Sequence, residues 1–521
     1  MEHADPIKLE IFKNLFGSVA DEMGVVLQRT GFSPNIKERL DFSCAVFDGD
    51  GRMVAQAAHI PVHLGSMPLS VKSAVESGVM RPGDVVFLND PFRGGTHLPD
   101  VTMVAPVFLG EDRPSFYVAN RAHHADVGGS TPSSMPLSTS IFQEGVIIPP
   151  IKLVSEGELD RDVLSLFLAN VRTPEEREGD VSAQLAACAT GSRRLTEMHS
   201  RYGLDEMKWY AGALLDYSET FMRQCLSGIP AGVYTFEDFM DDDGAGAERI
   251  PIRVTITIRD DRAVVDFSGT AAQVKGCVNA VFAITFSCVF YVFRCLAGEK
   301  MPSNAGCMRP IEVVAPPGSL VHANWPAAVA GGNVETSQRI VDALFGALAK
   351  ALPKVIPAAS CGSMNNVSIG GHDCVRDRPF AYYETLAGGM GARPDKDGLD
   401  AVHTHMTNTM NTPIEVIEST YPLRVLCYNV RQGSGGNGVY RGGKGLVREY
   451  EALCDVNVSL LSERRRFAPY GLAGGSDGVP GENAIFRAGS WANLPSKVNF
   501  EMAKGDRLRI QTPGGGGYGQ K

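Results

Sequence analysis

Residues 89–130 read NDPFRGGTHLPDVTMVAPVFLGEDRPSFYVANRAHHADVGGS, and the interpretation of the whole chain starts from this stretch. Two runs within it, residues 101–109 and 115–120, have the β-branched and aromatic composition of strands. Gly110-Glu111-Asp112 between them is typical of a turn. The stretch therefore predicts a β-hairpin.

Histidines and aspartates flank the predicted hairpin at both ends. His97 and Asp100 precede its first strand, and His123, His124 and Asp126 follow its second. An isolated histidine or aspartate most often caps a turn or satisfies a hydrogen bond. Here the fold of the hairpin brings two groups together, and imidazoles that converge with carboxylates are typical of a metal site.

A second hairpin is predicted towards the N-terminus. Residues 42–47 and 53–57 have strand character, and an Asp-Gly turn joins them. Asp41 stands at the mouth of the first strand, where a carboxylate either caps a turn or faces a site. The loop after the second strand carries His59 and His63, which either join the site or hold the backbone of their own loop.

The remaining periodicity predicts a mixed α/β (α+β) multidomain fold. An amphipathic helix begins at Pro6, after the cap residue Asp5. Helical patterns then alternate with strand patterns in blocks along the chain. We predict four domains: an N-terminal metal-site domain rich in β-hairpins, residues 1–155; a helical subdomain, 156–230; an α/β segment, 231–355; and a glycine-rich, β-containing C-terminal domain, 356–521.

Glycine clusters mark the last third of the chain, at residues 388–391, 433–436, 441–445 and 513–519. None of them matches the G-x-x-x-x-G-K-[ST] pattern of a phosphate-binding loop. We interpret them as tight turns with sharp corners, since glycine tolerates the backbone conformations that such turns need.

Composition excludes several classes of protein. A net charge of −10 without a basic cluster argues against nucleic acid as a partner. No apolar run is long enough to span a membrane, and the N-terminus lacks the apolar core of a secretion signal. Eleven cysteines without a C-x-x-C pair favour reduced thiols in the cytoplasm over a disulfide framework or a structural zinc.

Several motifs together resemble the hydantoinase B/5-oxoprolinase family, which includes the B component of ATP-dependent N-methylhydantoinase and is related to components of acetone and acetophenone carboxylases. The resemblance extends over essentially the whole chain. It is carried by Asp41-Phe42-Ser43, residues 59–67 (HIPVHLGSM), Asn89-Asp90-Pro91, residues 94–100 (GGTHLPD), residues 121–129 (RAHHADVGG), Gly332-Asn333-x-Glu335-Thr336, Asn408-Thr409, residues 413–415 (PIE), residues 431–436, residues 441–443 and residues 513–519.

The resemblance implies a set of site residues. By motif position, the family's metal ligands correspond to Asp41, His97, Asp100 and His123 in this sequence, with His124 as the alternative to His123. Mixed nitrogen and oxygen ligands suit Mn²⁺, Fe²⁺ or Zn²⁺. His124 and Asp126 are then candidates for orienting a ligand or carrying a proton, and His63 is a further acid/base candidate.

The resemblance also implies an activity and a partner. A hydantoinase A-type ATPase subunit would bind ATP and phosphorylate the substrate oxygen, and this chain would perform metal-assisted hydrolytic ring opening of a hydantoin or lactam. The assembly would be a cytoplasmic hetero-oligomer. Two alternatives are a subunit of an ATP-dependent ketone carboxylase, of the acetone or acetophenone type, and a non-catalytic scaffold subunit.

Overall fold

A computed structural model describes residues 4–57 and 59–521. Its first sheet is antiparallel throughout and has the spatial order β2-β1-β5-β4-β3-β6-β7. Both predicted hairpins are present in it, as β1–β2 and β4–β5. The strands are β1 Phe42–Asp48, β2 Met53–Gln56, β3 Val85–Leu88, β4 Asp100–Val107, β5 Phe116–His123, β6 Ile151–Ser155 and β7 Glu158–Leu159.

Helices cover both faces of this sheet. The long helices α1 and α5 pack on β1, β4 and β5, and α3 packs against β3, β4 and β5 on the opposite face. The carboxylate of Asp5 caps α1 as predicted, by accepting a hydrogen bond from the backbone N–H of Ile7. The helices of this part are α1 Pro6–Thr30, α2 Pro34–Lys37, α3 Met67–Glu76, α4 Arg161–Leu168, α5 Pro174–Tyr202 and α6 Leu204–Ser227.

The two faces can be told apart along β5, because successive side chains of a strand point to opposite sides. Asn120 donates to the carbonyl of Gln184 on α5. Its neighbour Arg121 donates to the hydroxyl of Ser70 on α3. The same alternation decides which of two adjacent histidines at the end of β5 reaches the site.

A second, four-stranded sheet has the order β11-β10-β9-β8, and only its β10–β11 pair is parallel. Helix α8 packs against β8 and β9 and also against α7. A π-helical turn, Gly332–Thr336, leads into α8. The elements are β8 Gly232–Asp242, β9 Glu248–Arg259, β10 Arg262–Asp266, β11 Ile311–Val314, α7 Phe282–Ala297 and α8 Ser337–Ala351.

Two further sheets form the C-terminal part, with the orders β13-β12-β16-β19 and β14-β15-β20-β17-β18. Strand β15 begins at Leu446, directly after the glycine cluster at residues 441–445. The elements are β12 Asn366–Asp373, β13 Arg378–Thr385, α9 Ile414–Thr420, β14 Leu423–Val430, β15 Leu446–Ala452, β16 Val456–Leu461, β17 Glu482–Arg487, β18 Ser490–Leu494, β19 Lys497–Met502 and β20 Arg507–Gln511.

The mixed α/β prediction is confirmed, and the apolar side chains form two cores. One core is a single cluster of buried apolar side chains. It includes residues from Phe12 on α1 to Leu348 on α8 and some residues that follow α8 in the chain. The second core lies between the two C-terminal sheets and contains residues from Val367 to Ile510. The boundaries of the four predicted domains stay predictions, although residues 1–155, 156–230 and 231–355 all contribute to the first core.

The interpretation of the glycine clusters as tight turns is wrong for most of their members. Only Gly433 and Gly519 within these clusters have a positive φ. Most of the others lie where segments pass backbone against backbone: a Cβ on Gly443 would lie 1.9 Å from the carbonyl oxygen of Leu399, and one on Gly515 would lie 2.1 Å from that of Met390. Glycine is needed there because no side chain fits between the segments.

The expectation of reduced thiols throughout is wrong at one pair. Cys374 and Cys454 form a disulfide between the end of β12 and the start of β16. Spacing could not reveal this pair, because 80 positions separate the two cysteines. Among the helices of the described residues, none combines the length and apolarity that crossing a membrane requires.

Candidate metal centre

The pairing register of β4 with β5 brings together the residues of the candidate metal centre. Asp100, the first residue of β4, pairs with His123, the last residue of β5. Asp100 Oδ1 lies 3.1 Å from His123 Nδ1 and 3.1 Å from Nε2 of His97, and the two histidine nitrogens lie 3.2 Å apart. These three side chains are all buried, and each offers one potential ligand atom within 4.8 Å of the other two.

Hydrogen bonds behind the cluster orient His97. Its Nδ1 lies 3.4 Å from the carbonyl oxygen of Ala330, so Nδ1 carries the proton and Nε2 presents a lone pair to the cluster. The carboxylate of Glu144 accepts hydrogen bonds from the backbone N–H groups of Val329 and Ala330, at 2.8 and 3.0 Å. Glu144 therefore holds the segment of Val329 and Ala330 in place, and the carbonyl group of Ala330 in turn orients His97.

The second oxygen of Asp100 is also occupied. Oδ2 accepts a hydrogen bond from the hydroxyl of Thr96 and lies 3.3 Å from Nε2 of His63. The opposite nitrogen of His63, Nδ1, lies 2.9 Å from the hydroxyl of Ser43. Burial opposes the charge of Asp100, but the electrostatic influence of the His97 and His63 rings and hydrogen bonds from His123 and His63 outweigh burial and hold the pKa of Asp100 well below the usual range.

His123 stacks on an aromatic ring. The ring centroids of His123 and Tyr383 lie 4.6 Å apart, and the rings are almost parallel, at 16°. Tyr383 is itself fixed, because its hydroxyl donates to Oδ1 of Asn366 at 2.7 Å. Burial lowers the pKa of His123, which favours the neutral imidazole that a metal requires.

Asp41 lies beside the cluster without joining its three-residue core. It lines the same small cavity as Asp100 and His123, and its backbone carbonyl accepts a hydrogen bond from the N–H of His123 at 2.9 Å. Its carboxylate lies 3.6 Å from Nη2 of the buried Arg39. Asp41 is thus placed to approach a bound ion, and its role as a ligand stays a proposal.

The structure does not bring His124 and Asp126 to the cluster. His124 points to the α5 side of the sheet, where Nε2 lies 2.8 Å from Oε1 of Gln184, and burial lowers its pKa to about 4. The carboxylate of Asp126 is engaged by Arg172 and by backbone N–H groups, including that of Ser133. Their catalytic roles stay predictions, and the contacts indicate supporting roles.

Asn333 is a site residue to which the sequence had given no role. Its Nδ2 lies 3.1 Å from Nε2 of His97, and its Oδ1 is buried without a hydrogen-bond partner among the described residues. It lies in the π-helical turn before α8, and such turns are frequent at functional sites. The Gly331-Gly332-Asn333 run before a helix was the available signal.

The donor set fits a divalent cation. With Nδ1 of His97 donating to Ala330, the cluster places an imidazole lone pair, a carboxylate oxygen and a second imidazole nitrogen within hydrogen-bond distance of one another. These groups repel unless a proton or a cation lies between them. The surrounding cavity has about 20 Å³, which is room for about one ion or water molecule.

Two buried histidines and a buried aspartate at the end of an antiparallel hairpin give this protein of mixed α/β fold a group that could hold a divalent metal ion. Comparison with known proteins identifies the family: residues 5–521 match the hydantoinase B/oxoprolinase family model. The chain belongs to this family.

Known relatives are similar over the whole chain. A 5-oxoprolinase of Dictyostelium discoideum is 40% identical over 99% of this chain, but this chain spans only 40% of that protein. The B component of a putative D-/L-hydantoinase from a Pseudomonas species is 33% identical, covering 100% of this chain and 90% of the relative. The ATP-dependent caprolactamase of Pseudomonas jessenii superimposes with a TM-score of 0.93 at 29% identity, covering 100% of this chain and 92% of the other.

Proposed function

We propose that this chain is the metal-bearing catalytic subunit of an ATP-dependent cyclic amide hydrolase, which opens a hydantoin or lactam ring by hydrolysis. The observation that carries the proposal is the buried convergence of His97, Asp100 and His123. Membership of a family that contains 5-oxoprolinases and hydantoinases supports the substrate class.

The chemistry needs an activated substrate. A cyclic amide resists water because resonance stabilises its carbonyl group. Phosphorylation of the carbonyl oxygen makes the ring carbon electrophilic, so water adds to it, and the ring C–N bond then breaks as the nitrogen takes a proton. The acyl phosphate that results is hydrolysed by a second water molecule to the open-chain acid and phosphate. In the proposed complex an A-type ATPase subunit performs this phosphorylation with ATP. Two observations support a partner: the hydantoinase relative is named as one component of an enzyme, and this chain matches only a part of the 5-oxoprolinase.

His97, Asp100 and His123 would hold the ion, with Asp41 as a fourth ligand, and this nitrogen and oxygen set suits Mn²⁺, Fe²⁺ or Zn²⁺. A divalent ion bound there would supply Lewis-acid activation of water near neutral pH. The protein holds the carboxylate of Asp100 in place, because Thr96 and His63 orient it.

His63 is the acid/base candidate that the geometry supports best. Its ring bridges the hydroxyl of Ser43 and the carboxylate of Asp100, so it can hold a proton at either nitrogen beside the ion site. It also lines the cavity of the cluster. We propose supporting roles for His124 and Asp126, which lie behind the site.

A reconstituted complex tests the proposal. The chain is co-purified with its ATPase subunit and assayed with hydantoin, 5-oxoproline and caprolactam for ring opening and for substrate-dependent ATP hydrolysis. The proposal expects ring opening only with both subunits, ATP and metal. Ring opening by the isolated chain would contradict the dependence on a partner. Bicarbonate-dependent consumption of a ketone would indicate carboxylation, and full activity after the metal is removed would indicate a scaffold.

A further inference from the structure

The ring of His123 is held differently from the other histidine rings beside the cluster. Nδ1 of His97 lies 3.4 Å from the carbonyl oxygen of Ala330, and Nδ1 of His63 lies 2.9 Å from the hydroxyl of Ser43. His123 turns Nδ1 towards the cluster, and its Nε2 is buried without a hydrogen-bond partner among the described residues. A histidine ligand is usually oriented by a hydrogen bond to its second nitrogen. Since His123 lacks that bond, the orientation of its ring depends on packing.

Tyr383 provides this packing. Its ring lies nearly parallel to that of His123, at 16° and with centroids 4.6 Å apart, so a shift of one ring displaces the other. The hydroxyl of Tyr383 donates to Oδ1 of Asn366 at 2.7 Å and makes no other hydrogen bond within the described part of the chain. Asn366 therefore fixes the end of the tyrosine ring that carries the hydroxyl, and with it the surface on which His123 stacks.

The amide of Asn366 is itself held in one orientation by two acceptors. Its Nδ2 donates to Oε1 of Glu335 at 2.6 Å and to the backbone carbonyl of Leu461 at 2.9 Å. With both amide hydrogens directed at these oxygens, Oδ1 is left to accept from Tyr383. Of the two acceptors, only that of Glu335 belongs to a side chain, so Glu335 is the one that a substitution can remove.

Glu335 offers this acceptor in either protonation state. Burial and the negative charge of Glu463 raise the pKa of Glu335 to about 7. The N–H of Met364 also donates to Oε1, at 3.0 Å, so two donors meet this oxygen and a proton on the carboxyl group lies on Oε2. The contact with Asn366 is therefore kept on both sides of neutral pH.

The position of Glu335 in the chain links it to the other histidine of the cluster as well. It lies in the π-helical turn Gly332–Thr336, and Nδ2 of Asn333 in the same turn lies 3.1 Å from Nε2 of His97. Such turns are frequent at functional sites. One turn thus contacts His97 directly and reaches His123 through two intervening side chains.

We propose that Glu335 is a positioning residue of the metal centre: through Asn366 and Tyr383 it holds the ring of His123 in the orientation that binds the ion. The inference rests on the proposed function, because that function places the ion at His123. Glu335 does not line the cavity of the cluster, so its effect is on the geometry of one ligand.

Three variants and a control separate this role from a general contribution to the fold. Glu335→Leu removes the acceptor, Glu335→Gln keeps an acceptor at the position of Oε1, and Tyr383→Phe keeps the stacked ring but removes its hydroxyl. Gln338→Leu is the matched control. Gln338 is buried like Glu335 and lies one helical turn further along the chain, but it donates to the carbonyl of Thr404 instead of contacting Asn366.

Competition with a chelator gives the dissociation constant of Zn²⁺ for the full-length chain. We expect Glu335→Leu and Tyr383→Phe each to weaken binding by about tenfold or more, and Glu335→Gln and Gln338→Leu to bind like the wild type. The double variant Glu335→Leu with Tyr383→Phe should bind about as weakly as either single variant, because both act through one hydroxyl, whereas independent effects would multiply to about a hundredfold. The absorption spectrum of the Co²⁺-loaded protein, which reports the ligand geometry, should change in Glu335→Leu but not in Gln338→Leu.

The orientation of His123 is also measured without metal, by NMR of protein labelled in the histidine rings, with the His123 signal assigned by its absence from His123→Gln. We expect this signal to move in Glu335→Leu and to keep its wild-type position in Gln338→Leu. An unmoved signal, or equal Zn²⁺ affinity of Glu335→Leu and Gln338→Leu, would overturn the inference. Wild-type affinity of Tyr383→Phe would overturn it too, and this variant serves if Glu335→Leu does not fold. A wild type that binds no metal, with a His123 signal that moves in Glu335→Leu, would refute the proposed function and leave the positioning of His123 by Glu335 in place.

Discussion

Asp100 and His123 face each other across adjacent antiparallel strands, with Asp100 Oδ1 3.1 Å from His123 Nδ1. Directly opposed residues on one face of a sheet have their Cβ atoms about 4.5–5.5 Å apart, so the pairing alone brings the two side chains into contact. A slip of one residue would turn every side chain of β5 to the other face. The register therefore selects His123 over His124 for the cluster.

The first prediction concerns this selection. His124→Ala should keep the metal, because His124 points towards Gln184 on α5. It should lower the free energy of unfolding by about 1–3 kcal/mol, since it leaves the buried amide of Gln184 without this partner. Metal content by elemental analysis and stability by urea unfolding check both parts. His123→Ala is the matched variant and should lose the metal; loss of metal from folded His124→Ala would contradict the assignment.

The second prediction concerns Asp41. Asp41→Asn should weaken metal binding by about tenfold or more, because it removes a negative charge beside the cluster. The control is Asp48→Asn, since Asp48 is as buried as Asp41, lies at the other end of β1 and binds Arg52 instead of facing the cluster. Competition with a chelator gives the dissociation constants. Equal metal affinity of Asp41→Asn and the wild type would exclude Asp41 as a ligand.

The sequence predicted the parts of the site that depend on local patterns. The hairpin β4–β5, which brings His97 and Asp100 close to His123 and His124, follows from turn residues and strand composition, which are local properties. The choice of His123 as a ligand came from the family resemblance. His123 and His124 could not be separated, because their orientation depends on the last residue of the strand. Glu144 and Asn333 act through contacts with segments far along the chain, and composition carries no signal for such contacts.

The role of the C-terminal glycines is a second feature that the sequence leaves undecided. Both a turn and a close approach of two segments require glycine, so the sequence cannot distinguish them. Whether a glycine serves a turn or a close approach depends on the residues that pack against it. Gly443, for example, packs against Leu399, and only folding brings these two residues together.

The third prediction follows from this packing. Gly443→Ala should destabilise the protein by about 3 kcal/mol or more, because its Cβ would overlap a backbone oxygen that cannot move aside. Gly212→Ala should be neutral or slightly stabilising, since it adds a methyl group in open space on a helix. Urea unfolding of both variants checks this. A Gly443→Ala protein as stable as the wild type would contradict the close packing.

The fourth prediction concerns pH. Burial raises the pKa of Glu144 from 4.5 to about 7. Between these values the folded protein keeps a proton that the unfolded chain has released, so the contribution of Glu144 to stability is lost as the pH rises through this range. Glu144→Gln keeps the acceptor oxygen for Val329 and Ala330 but does not titrate.

The stability of Glu144→Gln relative to the wild type should therefore increase between pH 5 and pH 8, by up to about 3 kcal/mol. Urea unfolding at both pH values measures this difference. Glu144→Ala separates the charge from the hydrogen bonds, because it also abolishes the contacts with Val329 and Ala330 and should be destabilised at both pH values. A difference between Glu144→Gln and the wild type that is independent of pH would contradict the raised pKa.

The fifth prediction concerns the proposed metal site that His97, Asp100 and His123 form at the end of the hairpin. Elemental analysis of the purified wild-type chain, His97→Ala and Asp100→Ala is the most direct measurement, with circular dichroism to establish that each variant is folded. We expect a divalent transition metal in the wild type and its loss from both folded variants. A folded His97→Ala protein that retains the full metal content of the wild type would contradict it.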